Sequence, residues 1–361
     1  MNRQPRGHTG TKLKHLLLRI FVPSWPRSLK RVIAVLAVSA MVWSQSAPAF
    51  AYLKFGVQTS SGQVALRWAS SPVRYFVNDS GVPGVAASDL QAAVGRAFST
   101  WQAVPTASIT YQFVGFTAAL PLEEDGQSTL GFALHPELDR VLASTDILVD
   151  QTTGEIVEAD IFFNSAFQWS VAAGGEPGRF DLESIALHEI GHLNGLGHSA
   201  LGETELRSDG GRRVIAAEAV MFPIAYPPGS VSARTLRADD IAGVSDLYPD
   251  GGLNDTTGSL SGRITRNGVG VFGAHVVAFD PGNGSLVGTF SLDNQGRFAI
   301  LGLSPGPHII RVEPLDDADV ESFFTASAKV DLDFRVTFLN RLVVVPRGGD
   351  SGPVEIAIVG K

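Results

Sequence analysis

Apolar and polar positions along the chain follow two regimes. In the first, helical and strand periods alternate. An apolar run at 73–77 reads as a strand, and after the turn at 78–84 the residues Ser88, Asp89, Leu90 and Gln91 give a capping-box start. Leu90, Val94, Ala97 and Trp101 then recur on one helical face until Pro105 ends the segment. Strand patterns follow at 109–114, 129–134, 145–150 and 158–164, separated by turns containing Gly, Asp or Pro. A second helix is predicted from Asp181, a good N-cap, with Leu182, Ala186, Ile190 and Leu193 on its core side and His188 and His192 on roughly the opposite side. A third fits 238–248, with Asp239 and Asp240 in its first turn and Pro249 as its stop.

Past the Gly- and Asp-rich stretch 249–258 the helical period disappears. Seven short strand patterns follow, at 259–265, 275–280, 286–292, 297–301, 308–312, 337–345 and 354–359, the number of a small β-sandwich. The expected fold class is therefore α+β, an N-terminal α+β domain followed by an all-β one. The boundaries are a lead-in at 52–72, a first domain at 73–249, a linker at 250–258 and a sandwich at 259–361.

Charge changes the picture at the N-terminus. Arg3, Arg6, Lys12, Lys14, Arg19, Arg27, Lys30 and Arg31 occur there with no acidic residue, ahead of an apolar or small stretch at 32–43. This is the layout of an export signal, with cleavage expected after Ala51 and Ala49 as the alternative. The apolar run is about twelve residues, against the roughly twenty of a membrane span, so a retained anchor is the lesser reading. Of 28 basic and 36 acidic residues, loss of segment 1–51 leaves 20 basic and all 36 acidic, a net charge of −16. Such a chain is expected to be secreted, extracellular or periplasmic, without nucleic acid as partner and without stable membrane insertion. It has no cysteine, so packing or metal ions must replace disulfides.

The candidate chemistry lies at 188–198, which reads His-Glu-Ile-Gly-His-Leu-Asn-Gly-Leu-Gly-His. Histidines at i and i+4 on a helix can reach one ion, at about 2 Å for zinc. Gly195 can leave helical geometry and turn the chain back, which makes His198 the third ligand. Three neutral ligands leave a tetrahedral zinc one open position, the mark of a catalytic site. Glu189 stands beside that position as the expected general base for water attack on a peptide carbonyl. Of the other histidines, His8 and His15 leave with segment 1–51, and His135, His275 and His308 read as lone surface or core residues.

The extended motif resembles that of the metzincin metalloproteases, and Ala219, Met221 and Pro223 resemble their methionine turn. Ser199 directly after the third histidine, and the stretch from Ala238 to Tyr248, are similar to the matrixin branch, the relatives of matrix metalloproteinases. The resemblance runs from about Val73 to Tyr248. It implies His188, His192 and His198 as zinc ligands, Glu189 as base, Met221 as the floor of the site, and Pro223 and Tyr226 as walls of the pocket for the residue after the cut. It also implies a protein or peptide substrate pairing on residues 130–134 as an edge strand.

Departures accompany the resemblance. Phe132 and the sequence around Asp160 lack the histidines of a second, structural zinc, which is expected to be absent. Calcium through Asp146, Asp150, Glu155 or Asp160 stays an alternative to their reading as turn and surface groups. Between His198 and Met221 lie 22 residues, so 202–217 is expected to form an extra loop near the cleft. From about Gly258, Gly262-Arg263-Ile264 opening a strand and Gly296-Arg297-Phe298-Ala299-Ile300 with Leu303, Pro305 and Gly306 in the middle resemble carboxypeptidase regulatory-like or transthyretin-like sandwiches, which implies a binding, spacing or stabilising role. The activity implied is zinc endopeptidase. The alternative is a binding or adhesion protein with an inert protease fold, which the intact Glu189 disfavours.

Overall fold

The computed structural model describes residues 11–12, 53–60, 62–208, 211–325 and 327–361. The expected export signal at 1–51 lies outside them, apart from Thr11 and Lys12. No helix among the described residues is long and apolar enough to cross a membrane.

The first domain is α+β. Its sheet places Ala143–Val149, Ile156–Asn164, Ser128–Ala133, Val73–Asn78 and Tyr111–Thr117 side by side in that order. Only Ala143–Val149 runs antiparallel to its neighbour, and Thr11–Lys12 pairs with its far end at Leu148 and Val149. Residues 130–134 therefore do not form the expected edge. Ser128–Ala133 is bonded on both sides, by Val73–Asn78 and Ile156–Asn164. Its burial is that of a central strand, whose apolar run is continuous because both faces are covered.

Helix α1, Ala87–Gln102, buries Leu90, Ala93, Val94, Ala97, Phe98 and Trp101. Its N-cap is Ala86 and not Ser88, because Asp89 reaches back to accept from the Ala86 amide at 3.0 Å. Helix α2, Leu182–Leu193, starts where expected. The Asp181 carboxylate accepts from the Ser184 amide at 2.9 Å and is held by Arg234. All twelve residues of α2 are buried, so its histidine face is enclosed as well as its core face. Trp101 locks the two helices together by donating from Nε1 to the Leu187 carbonyl at 2.9 Å.

The lead-in is structured. Gly56–Thr59 and Gly62–Ala65 form a hairpin, and Phe55 stacks on His192 with ring centroids 5.4 Å apart. Beyond α3, Ala238–Leu247, the expected linker contains a short helical turn, Leu253–Thr256. Two sheets then face each other around one core. Gly258–Arg266, Val269–Gly270, Arg297–Leu303 and Val354–Ala357 make the first, and Leu286–Phe290, His275–Phe279, Gly306–Glu313, Thr337–Phe338 and Val343–Val345 the second. Ala242 of α3 belongs to this second core, whereas Val244 and Leu247 belong to the first. One helix thus seals both domains. Apolar clusters combining Ala200 with Phe290 and Leu315, and Leu201 with Val277, extend that junction.

Candidate metal centre

Residues His188, His192 and His198 form a buried cluster, with one ring nitrogen of each lying within 4.8 Å of the others. It is the only such group of three or more His, Cys, Asp or Glu donors among the described residues. The spacing explains the first two, one turn apart on α2. The third depends on Gly195, whose φ of 95° turns the chain out of the helix. A Cβ there would stand 2.3 Å from the Leu66 carbonyl oxygen, so both conformation and space require glycine. The turn is braced by the lead-in: the Phe55 amide donates to the Gly195 carbonyl at 2.9 Å, and the Gly197 amide to that of Leu53 at 2.6 Å. Trp68 Nε1 and the Tyr248 hydroxyl donate to the Leu193 and Asn194 carbonyls that the helix end leaves open.

Each imidazole is oriented by a backbone carbonyl. Nδ1 of His188 donates to Val220 at 2.7 Å, that of His192 to Leu196 at 2.7 Å, and that of His198 to Ser322 at 2.6 Å. Placing the proton on Nδ1 leaves Nε2 as the lone-pair atom in all three rings. Nε2 of His188 and His192 stand 3.0 Å apart, close to the roughly 3.3 Å that tetrahedral bonds of about 2 Å imply. Burial holds all three rings neutral, with the pKa of His188 lowered to about 4 and that of His198 to about 3. His198 Nε2 and Glu189 Oε1 are buried without a hydrogen-bond partner. A buried polar atom left without a partner is costly, and a cation shared by the three Nε2 atoms beside this carboxylate removes that cost. The donor set fits zinc.

Glu189 is fully buried, which pushes its pKa up to about 8 against the lowering effect of a hydrogen bond from Thr145 Oγ1 at 2.7 Å. Met221 lies beneath α2 and is 2 % exposed. Its sulfur occupies the place a side chain at Gly191 would need: a Cβ there would meet Sδ at 2.2 Å. The turn carrying it is held by Asp240, whose carboxylate accepts from the Val220 and Met221 amides at 2.9 and 3.1 Å and from its own N-cap amide, Arg237, at 2.8 Å. Asp240 was expected only to complement the helix dipole. It instead joins α3 to the carbonyl that orients His188.

Beside His188 a cavity is lined by Phe180, Ile185, Val220, Phe222, Ile224 and Tyr226, among others. Tyr226 is among the residues lining it, and its hydroxyl accepts from the Ala217 amide at 2.9 Å. Pro223 is buried but does not line the cavity, and its neighbours Phe222 and Ile224 do so instead. The extra segment after His198 is a hairpin, Gly202–Leu206 with Arg212–Ala217. Asp146 and Asp160 are cross-strand partners, while Asp150 and Glu155 flank the connecting turn. Asp160 is occupied by the Leu122 and Thr129 amides at 2.6 and 2.8 Å. Phe132 packs against Phe163 and Trp169. His135 pairs with Glu137 and His275 with Glu313, away from the cluster. Sequence reasoning missed Thr145, Phe55 and Ser322, which carry no local signal beyond their residue type, and gave no role at the site to Asp240 or Gly191.

Comparison with known proteins agrees with this geometry. The matrixin family, peptidase M10, matches residues 67–205. Metalloendoproteinase 1 of Glycine max is 32% identical over 170 residues, 44% of this chain and 45% of that one. Metalloendoproteinase 1-MMP of Arabidopsis thaliana is 31% identical over 172 residues, 44% and 38% of the two chains. Metalloendoproteinase 5-MMP of the same plant is 37% identical over 87 residues, 24% and 19%. The chain thus spans less than half the length of these curated relatives. The part of the chain similar to the matrixin family thus makes up most of the first domain, whose fold class is α+β.

Proposed function

We propose that this protein is a secreted zinc-dependent endopeptidase that hydrolyses peptide bonds with Glu189 as general base. The observation that carries this reading is the convergence of three Nε2 atoms, each freed by an Nδ1 bond to a carbonyl, next to a buried carboxylate with one unsatisfied oxygen. His188, His192 and His198 would hold the zinc. When bound, zinc polarises a carbonyl and acidifies water.

The chain's own residues do the rest. Thr145 fixes one Glu189 oxygen and leaves Oε1 to take a proton from water and pass it to the leaving amine. Burial raises the basicity of that carboxylate, and the bond from Thr145 works against the rise. The cavity beside His188, lined by Phe180, Ile185, Phe222, Ile224 and Tyr226, suits an apolar side chain flanking the cut. Toward Ala143 the outer edge of strand Ala143–Val149 has no strand partner among the described residues, and its backbone groups would pair with an extended peptide. Export rests on the basic and apolar layout of segment 1–51.

The test is zinc content and cleavage of casein or gelatin by the mature chain beside Glu189→Ala. Zinc near one equivalent in both proteins, with cleavage only in the wild type, is the expected result. Cleavage surviving the substitution, or a wild type without zinc, overturns the proposal.

A further inference from the structure

The third histidine is oriented by the other domain. The acceptor of His198 Nδ1 is the carbonyl of Ser322, 124 residues away, in the connection that follows the sandwich strand Gly306–Glu313. Three further observations place the same connection against the site. Phe323 meets the His198 ring edge to face with centroids 6.1 Å apart, and its ring also packs on that of Phe290 at 5.5 Å. Ala318 and Phe323 pack with Val214, Phe222 and Ile224, two of which line the cavity beside His188. Asp317 clamps the hairpin inserted between His198 and Met221, accepting from the Thr204 amide at 2.7 Å, while the Asp317 carbonyl accepts from Thr204 Oγ1 at 2.8 Å. Buried Asp239 makes a further link between the domains, accepting from the Gly288 amide at 2.8 Å and from the hydroxyl of Ser199, the residue after His198.

We infer that the connection 315–324 of the sandwich domain is a positioning element of the metal centre, and that the insertion after His198 is the part of the first domain to which it docks. This rests on the reading of His188, His192 and His198 as zinc ligands. The physical reason is that an imidazole is a good ligand only in the correct tautomer and orientation, which its second nitrogen fixes. His188 and His192 obtain that partner within their own domain, whereas His198 obtains it only when the two domains are joined. Ser322 and Phe323 are positioning residues, since they act through His198.

The experiment uses the full mature chain, with Phe323→Ala and Asp317→Ala as disrupting variants and Phe323→Leu and Asp317→Asn as conservative ones. Zinc affinity is measured by chelator competition, and the visible spectrum is recorded after replacement by cobalt. Zinc affinity is expected to fall about 10- to 100-fold in the disrupting variants, with an altered cobalt spectrum, and to return toward wild type in the conservative ones. Unchanged affinity and spectrum in both disrupting variants would overturn the inference, even if their Tm falls. A second measurement needs no variant. In the metal-free wild type with labelled histidine, the His198 ring should show a slowly exchanging Nδ1 proton, and a rapidly exchanging or Nε2 proton would also overturn it. A wild type that binds no zinc at all refutes the zinc reading instead, while the metal-free measurement still tests the contact.

Discussion

Gly191→Ala puts one methyl group between α2 and the methionine turn. Its Cβ would lie 2.2 Å from Met221 Sδ, 3.0 Å from Met221 Cε and 3.0 Å from Trp101 Cζ2. Ordinary contacts begin near 3.4 Å, so the sulfur must retreat by more than 1 Å. Trp101 cannot yield, being fully buried and tied to the Leu187 carbonyl. Met221 is flexible, but its amide is held by Asp240 and the preceding carbonyl by His188. Overpacking of this kind costs about 1–3 kcal/mol. Alanine in place of glycine returns about 0.8–1.0 kcal/mol of helix propensity, so a net loss of about 1 kcal/mol is expected. The larger effect falls on the metal, because displacing Val220 disturbs the acceptor of His188, and about 10-fold or more in zinc affinity should be lost. The assay is chemical denaturation of the metal-free protein and chelator competition for zinc, in the wild-type and Met221→Ala backgrounds. Met221→Ala alone costs about 2–5 kcal/mol, but it removes the clashing atoms, so Gly191→Ala should be neutral or stabilising there. Additive effects in the two backgrounds would refute the reasoning. Gly174→Ala, at a glycine with open space around its Cβ, serves as the control and should leave zinc affinity unchanged.

Three further outcomes are expected. Asp240→Ala removes the acceptor of the Val220, Met221 and Arg237 amides, and should weaken zinc binding about 10- to 100-fold and lower stability by about 1–3 kcal/mol, as read by chelator competition and denaturation. Thr145→Val deletes the hydrogen bond that lowers the Glu189 pKa, so the acid limb of the pH profile for peptide cleavage should move to higher pH, and an unmoved limb counts against Glu189 as base. Burial raises Asp160 to about 7 from 3.8, so its folded form holds a proton across a window in which the unfolded chain has released it. That contribution is fully present below pH 3.8 and is lost as pH rises through 7. Asparagine does not titrate, so the stability of Asp160→Asn relative to wild type should increase by up to about 4 kcal/mol from pH 4 to pH 8, whatever the constant offset, and a flat difference in chelator-treated protein refutes it.

What the sequence determined by itself is the chemistry whose geometry is local. The i, i+4 spacing of His188 and His192, the Asp181 cap, the turn at Gly195 and the position of Glu189 all follow from helix geometry over eighteen residues. The helix and strand patterns placed most elements within a few residues of where they lie, since apolar periods report which face is buried. They did not report which strand is central. The order that puts Ser128–Ala133 inside and Ala143–Val149 outside depends on pairing between distant segments. Nor did they reveal how each histidine is oriented. Val220 is 32 residues from His188 and Ser322 is 124 from His198, and a carbonyl acceptor has no side chain by which a sequence could announce it. Only the tertiary structure brings α3 against the turn that holds His188, and the second domain's connection against His198 and the inserted hairpin. The proposed ligands are thus local, while their tautomers and aim are a property of the whole fold.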